Sequence, residues 1–451
     1  MKSLTLALLL VCGLSADSCT VVRAAGPAQF TLPDTDDGLP GTGTIRRYEW
    51  FKNLWQQRRA NWAVKVAQDQ GAVVFLGDSI IQGWGDDLGG DFPGMKSANR
   101  GISGDTTRGV LIRMDDDVLA LKPAGVVLLI GTNDLEEGDE PEIVAANMKL
   151  ILAKLREHRA DLSVILCKVF PSSESKKRPA PRIKQINSLY ESLAKGDPHT
   201  LVLETWLPFA NEHGDARPEE FPDLLHPNRA GYAKWAGALR PLLETLELLP
   251  VAEADFQPEP GFVSLFNGRD LTGWGYRVTP ESDKQAAANW RKNDPNAPPW
   301  PFRDQPVHFD GATASDDGRY RVRNGRLVVA IPPEGRKIQQ LYTRREFAGD
   351  FVLKLEFRAT PNADSGVFLR GPQLQCRDYL LAGPYKQLQK YRPLDWNEME
   401  VSVSGGTARC TVNGEVIEAE FKVPPAPGPI GLEGDRGQME YRRIRVKMSD
   451  N

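Results

Sequence analysis

A parallel α/β domain with helices on both sheet faces, followed by an all-β sandwich, is the architecture this sequence predicts. Three observations predict it. Between residues 72 and 246, short apolar runs alternate with amphipathic stretches of helical period, which implies a parallel sheet covered on both faces. Residues 249–261 break that rhythm with Pro250, Pro258 and Pro260 among acidic side chains, as an interdomain linker does. Beyond them, β-rich runs recur between turn signals. A length of 451 residues accommodates two or three such units.

The chain opens with Lys2, an apolar stretch over 4–14 and small residues near Ala24 and Ala25. This pattern predicts a signal peptide over 1–25, soluble export and a secreted or periplasmic protein. The stretch is too short to span a membrane. Residues 26–44 read as a leader loop rich in Gly, Pro and Asp. Over 46–67, Tyr48, Phe51, Leu54, Trp55, Trp62 and Val66 recur at helical spacing. Strands are expected over 72–76, 125–130, 163–170 and 201–203. Helices are expected over 142–158, 182–194 and 228–246. The run 125–130 has no polar member, as a strand buried on both faces requires. Residues 99–107 read as a glycine-rich loop before an amphipathic stretch. In the second half, strands are expected over 262–266, 320–322, 326–330, 351–357, 366–369, 399–403, 408–412 and 440–446. Asn413-Gly414 marks a two-residue hairpin, and 290–309 a long loop.

The 56 Lys and Arg against 60 Asp and Glu leave a net charge of −4, which argues against nucleic acid as a partner. Of five cysteines, Cys12 and Cys19 leave with the signal and Cys167 reads as a buried thiol. Cys376 and Cys410 either pair, as an oxidising compartment allows, or stay as two separate buried thiols. No metal-ligating spacing of Cys or His appears.

Four separated segments make chemical sense together. Gly77-Asp78-Ser79 follows the first strand, where a helix N-terminus stabilises developing negative charge; a helix cap is the plainer role for Ser79. Gly104 can bring a backbone N–H close to a ligand. Asn133 directly follows the strand at 125–130 and offers a side-chain amide. Of the five histidines, only His226 has an acid three residues before it. On one turn, the Asp223 carboxylate can reach one ring nitrogen while the other faces Ser79. Acyl transfer needs this set: a nucleophile, a base, an orienter for the base and donors for an oxyanion. Asp78 is expected to stabilise its turn and Asp105 to pin its loop.

Gly77-Asp78-Ser79, Gly104, Asn133 and Asp223…His226, in this order, resemble the four blocks of the SGNH (GDSL-type) hydrolases. Gly104 to Arg108 looks like the branch containing platelet-activating-factor acetylhydrolase-like esterases. The resemblance covers about 45–250 and implies a flavodoxin-like three-layer fold over 45–248. It implies Ser79 as nucleophile, His226 as base, Asp223 as its orienter, and the Ser79 N–H, Gly104 N–H and Asn133 amide as the oxyanion hole. It implies no metal or organic cofactor.

After the linker at 249–260, Gly261 to Trp274, Asp364 to Arg370, Trp396-Asn397 and Val412 to Gly414 resemble the 3-keto-disaccharide hydrolase-like domain. That family implies a concanavalin-like jelly roll over 261–449 that acts on or binds sugars. This copy departs from the pattern at Gln373-Leu374-Gln375 and within Leu432 to Gly437, so sugar binding is expected ahead of a second catalytic centre. Trp274, Arg370, Asp378 and Trp396 are the candidates for that face, with sandwich core as the plainer role of each Trp. The function expected is a secreted serine esterase that deacetylates a carbohydrate, its partners being an acylated carbohydrate or small ester and, after signal cleavage, no membrane. Rival readings are a lipase or lysophospholipase-like acylhydrolase with a docking module, a glycoside-processing enzyme with an accessory esterase, and a non-catalytic adhesion protein.

Overall fold

The computed structural model describes residues 30–251 and 256–449; the expected signal peptide, Cys12, Cys19 and part of the expected linker lie outside them. Helix α1 (Glu49–Ala63) precedes β1 (Val73–Gly77), α2 (Ser79–Gly83), β2 (Ser97–Gly101) and α3 (Thr107–Asp117). Then come β3 (Gly125–Leu129), α4 (Thr132–Glu137), α5 (Pro141–His158), β4 (Ser163–Cys167), α6 (Ala180–Ala194), β5 (Thr200–Leu203) and α7 (Arg229–Thr245). The five strands form one parallel sheet in the order β2-β1-β3-β4-β5. Successive side chains of β1 enter opposite cores, because a strand alternates faces. Val74 and Leu76 pack with Val110, Met148 and Ile186, while Val73 and Phe75 pack with Ile81, Trp235 and Leu239.

One expectation about this half needs correction. Residues 99–101 belong to edge strand β2, not to a loop, which starts only at Ile102. Ser97 to Gly101 lacks β-branched and aromatic residues, so no β pattern shows. Backbone pairing with β1 and side-chain contacts hold it. Asn99 Nδ2 donates to the Ile81 and Gly85 carbonyls, and the Arg100 guanidinium to the Asp117 carbonyl and the Asp69 carboxylate. The leader, from residue 30, is packed against the domain. Phe30, Leu32 and Ile45 are buried, the Thr42 N–H donates to Asn147, and the Thr44 N–H donates to Asp139.

The second half contains β6 (Val263–Ser264), β7 (Trp274–Tyr276), α8 (Glu281–Asn293), β8 (Val307–His308), β9 (Tyr320–Arg323), β10 (Arg326–Val329), β11 (Arg336–Thr343), β12 (Phe351–Ala359), β13 (Gly366–Leu369), β14 (Gln373–Gln375) and α9 (Tyr379–Ala382). It ends with β15 (Asn397–Ser404), β16 (Thr407–Val412), β17 (Glu415–Lys422), β18 (Ile430–Arg436) and β19 (Met439–Met448). One sheet runs β17-β16-β15-β12-β19-β10-β9, with β6 on β19; the other runs β14-β13-β18-β11-β7-β8. One hydrophobic core fills the space between them. Asn413 and Gly414 both take positive φ, as a two-residue hairpin turn requires. Helix α8 takes the start of the expected 290–309 loop. It buries only Ala287, so no apolar stripe announced it. Cys167, Cys376 and Cys410 are free buried thiols, and no Cys376–Cys410 bridge forms.

The two halves meet through buried charge. Near the C-terminal end of α7, Glu244 accepts from Arg326 and Arg358, and both guanidinium groups also donate to Glu440. Gln438 Nε2 donates to the Pro241 carbonyl and Thr245 Oγ1, each at 3.0 Å. Removing one member of such a cluster leaves a buried charge unmatched. Glu244→Ala is therefore expected to lower stability by about 3 kcal/mol or more, read as a lower urea midpoint; an unchanged midpoint would show the cluster to be dispensable.

Candidate active site

The site sits at the carboxyl ends of the strands, where an open parallel sheet leaves a crevice. Gly77 ends β1 at a spot where a Cβ would lie 2.1 Å from the Leu129 carbonyl oxygen, so the chain turns there only without a side chain. Asp78 then caps α2 by accepting the Ile80 N–H at 2.9 Å. Ser79 is the first residue of that helix, and its own N–H is among the first-turn donors that no carbonyl of the helix takes. The cap is thus Asp78, which leaves the Ser79 hydroxyl for other contacts. Burial pushes the Asp78 carboxyl up to about 6, against the opposing Ile80 N–H and nearby positive charges.

His226 Nε2 lies 2.9 Å from Ser79 Oγ, and His226 Nδ1 lies 2.7 Å from Asp223 Oδ2. Asp223 Oδ1 also accepts the backbone N–H groups of Leu225 and His226. Desolvation of the Asp223 carboxylate raises its pKa, but these bonds and the His226 ring outweigh it and bring it to about 2. Two contacts hold the histidine turn in place. Asn228 caps α7 by accepting the Gly231 N–H, and the Tyr232 hydroxyl donates to the Ile80 carbonyl. The helix that follows His226 is therefore fastened to the helix that begins with Ser79.

Gly104 has φ +87°, a conformation that side chains rarely adopt. Asn133, in the first turn of α4, donates through Nδ2 to the Asp105 carbonyl at 2.9 Å, and its Oδ1 accepts from Arg178 Nη2 at 2.9 Å. Arg178 also donates to the Thr132 carbonyl and to Glu136. Sequence reasoning missed Arg178, which lies beside Lys176 and Lys177 in a loop without periodicity. Asp105 is paired with the fully buried Arg113 at 2.8 Å.

The candidate sugar-binding residues do not form one face. Trp274 is in the sandwich core and donates its indole N–H to the Leu265 carbonyl. The Arg370 guanidinium donates to the carbonyls of Pro424 and Gly349 and lies over Phe351. Asp378 is buried and accepts the Asn362 N–H. Trp396 is half-buried beside the guanidinium groups of Arg358 and Arg442. The two segments that depart from the family pattern meet instead. Gln373 on β14 donates to Glu433 on β18, across β13. Beside them Asp364 pairs with Arg377 and Arg436, and Asp435 with Arg336. Burial, with Asp435 and Asp364 nearby, pushes the Glu433 carboxyl up to about 7.

A parallel α/β sheet with a Ser–His–Asp chain at its carboxyl edge defines an acylhydrolase-type domain. Residues 75–234 match the model of the GDSL-like Lipase/Acylhydrolase family, and residues 261–447 match the 3-keto-alpha-glucoside-1,2-lyase-like domain. The chain therefore joins a GDSL-like lipase/acylhydrolase domain, a hydrolase acting on esters, to a 3-keto-disaccharide hydrolase-like domain. It is 26% identical over 196 residues to platelet-activating factor acetylhydrolase IB subunit alpha1 of Bos taurus, covering 42% of this chain and 82% of that protein. The alpha2 subunit of Homo sapiens is 26% identical over 199 residues, covering 43% of this chain and 84% of that protein. A GDSL-like lipase of Bacteroides thetaiotaomicron is 25% identical over 42% of this chain and 97% of that chain, with a TM-score of 0.38.

Asp134, next to Asn133, accepts the Thr107 N–H and hydroxyl in full burial, and burial pushes its carboxyl up to about 7. Unfolded, the group loses its proton near 3.8; folded, it keeps it to about 7. The folded state then binds more protons between about pH 4 and 7, so this group's contribution to stability falls as pH rises through that window. Urea unfolding of Asp134→Asn should show a shallower decline over pH 4–7 than the wild type; parallel profiles would contradict the raised carboxyl.

Proposed function

We propose that this protein is an exported serine esterase that removes acetyl groups from a carbohydrate. The observation that supports it most is the chain Asp223–His226–Ser79, with contacts of 2.7 and 2.9 Å. In this reading Ser79 Oγ attacks the ester carbonyl while His226 Nε2 takes its proton. The C–O bond to the alcohol then breaks, and His226 returns the proton to the departing oxygen. Water, deprotonated by His226, attacks the acyl-serine; the bond to Ser79 Oγ breaks, His226 returns the proton to Oγ, and the acid is released. Asp223, anionic down to about pH 2, holds the ring through Nδ1 and favours the imidazolium. The Ser79 and Gly104 N–H groups and the second Asn133 amide hydrogen face the oxyanion. Arg178 acts on Asn133 by holding its oxygen, so that the amide presents its N–H side.

Two likenesses support the substrate class. The curated relatives are named as acetylhydrolases, which favours a short acyl group. The second domain resembles a family named for a glucoside, which favours a sugar as the alcohol. The apolar stretch over 4–14 supports export, and no described helix is long and apolar enough to cross a membrane.

On p-nitrophenyl acetate, Ser79→Ala and His226→Ala are each expected to lower kcat by more than about 10⁴-fold, and Asn133→Ala by about 10²–10³-fold. Acetylated plant polysaccharides should release acetate. Full activity of Ser79→Ala would remove the serine mechanism. A preference for long acyl chains would replace the carbohydrate reading by the lipase one, and cleavage of 3-keto-glycosides surviving Ser79→Ala would move the main activity to the sandwich.

A further inference from the structure

The esterase reading assigns no role to a group that adjoins Gly104. Arg46, Tyr48 and Trp50 lie where the leader enters α1. Tyr48 and Trp50 are 53% and 51% exposed, the two most exposed aromatic side chains among the described residues. Their rings are nearly parallel, 12° apart at 6.3 Å. The tip of Trp50 covers Gly104: a Cβ there would lie 2.6 Å from Trp50 Cη2 and 3.1 Å from Arg46 Nη1. The Arg46 side chain is 93% buried, and its Nε and Nη2 are engaged by Glu137 and Glu136. Among the described residues no acceptor takes its Nη1, the nitrogen that faces Gly104. An open aromatic face and an unused charged donor thus adjoin the proposed oxyanion site.

A pyranose ring has the matching chemistry. Its axial C–H groups form an apolar face that an aromatic ring can cover, and its hydroxyls lie around the rim where a guanidinium can donate to them. We propose that Trp50 and Tyr48, with Arg46 Nη1 at the edge, form the subsite that holds the sugar ring of the leaving alcohol. This rests on the reading of Ser79 as the esterase nucleophile and deepens it. The start of α1 and the residues just before it, rather than the sandwich, then select a sugar ester over a simple alkyl ester.

Acetate release from an O-acetylated methyl xylopyranoside and from ethyl acetate tests the subsite. Trp50→Ala should lower the ratio of kcat/KM for the pyranoside over ethyl acetate by about tenfold, mainly through KM, and Trp50→Phe should restore most of it. An equal fall on both esters overturns the proposal, because it marks a merely structural role beside Gly104. A loss that grows from ethyl acetate to ethyl hexanoate also overturns it, because the acyl chain would then occupy Trp50. Binding without turnover is read separately by saturation-transfer NMR on the Ser79→Ala protein. Methyl β-xylopyranoside should receive saturation there and lose it in Ser79→Ala/Trp50→Ala, with circular dichroism confirming the fold of both; equal transfer in the two overturns the subsite. Undiminished ester hydrolysis by Ser79→Ala would overturn the nucleophile reading instead, and the NMR comparison would still decide the subsite.

Discussion

One buried guanidinium holds the carboxyl edge of the sheet together. Arg113 donates to the carbonyl of Gly77 at the end of β1, to the carbonyl of Arg100 in β2 and to the Asp105 carboxylate in the following loop. Asp105 in turn offers its carbonyl to Asn133. The turn that presents Ser79, the loop that presents Gly104 and the amide of Asn133 are thereby referred to one positive charge. A charge this deep is tolerable only because it is matched and hydrogen-bonded. The same pairing ties the turn at Gly77, the end of β2 and the Asp105 loop to one another, as preorganised donors in the proposed site would require.

His226 is positioned differently. Asp223 and His226 are partly exposed, and they sit in a turn between the sheet and α7. Order there comes from short contacts: the Asp223 carboxylate on two backbone N–H groups, the Asn228 cap and the Tyr232 hydroxyl on α2. A buried core fixes the turn that carries Ser79, and a hydrogen-bonded surface turn fixes His226. At its other end α7 carries Glu244 into the contact with the sandwich. A helix of 17 residues spans about 25 Å, so one helix, with Pro241 near its C-terminal end, joins the candidate site to the domain interface.

The strands and helices of the first domain were legible where burial imposes a period. The apolar run at 125–130 and the stripes of α5, α6 and α7 emerged with ends shifted by a few residues at most. Strand β2 and helix α8 were not legible, because neither carries an apolar stripe: side-chain hydrogen bonds brace β2, and α8 buries only Ala287. The residues about the serine were legible as ordered blocks, each at a strand end or turn. Arg178, Arg113 and Trp50 were not, since a lone arginine or aromatic carries no period that tells its place; Tyr48 was expected in the apolar stripe of α1 but precedes the helix and is 53% exposed.

The sequence by itself determined the layers, the order of the blocks and the residue types able to transfer an acyl group, because these depend on local pattern and side-chain chemistry. Only the tertiary structure decided which distant groups meet: Ser79 with His226, Asn133 with Arg178, Gly104 with Trp50, and Glu433 with Gln373. It also decided that Trp274 belongs to the core and that Cys376 and Cys410 stay unpaired. Such meetings depend on angles and distances accumulated over whole sheets, which no local stretch of sequence encodes.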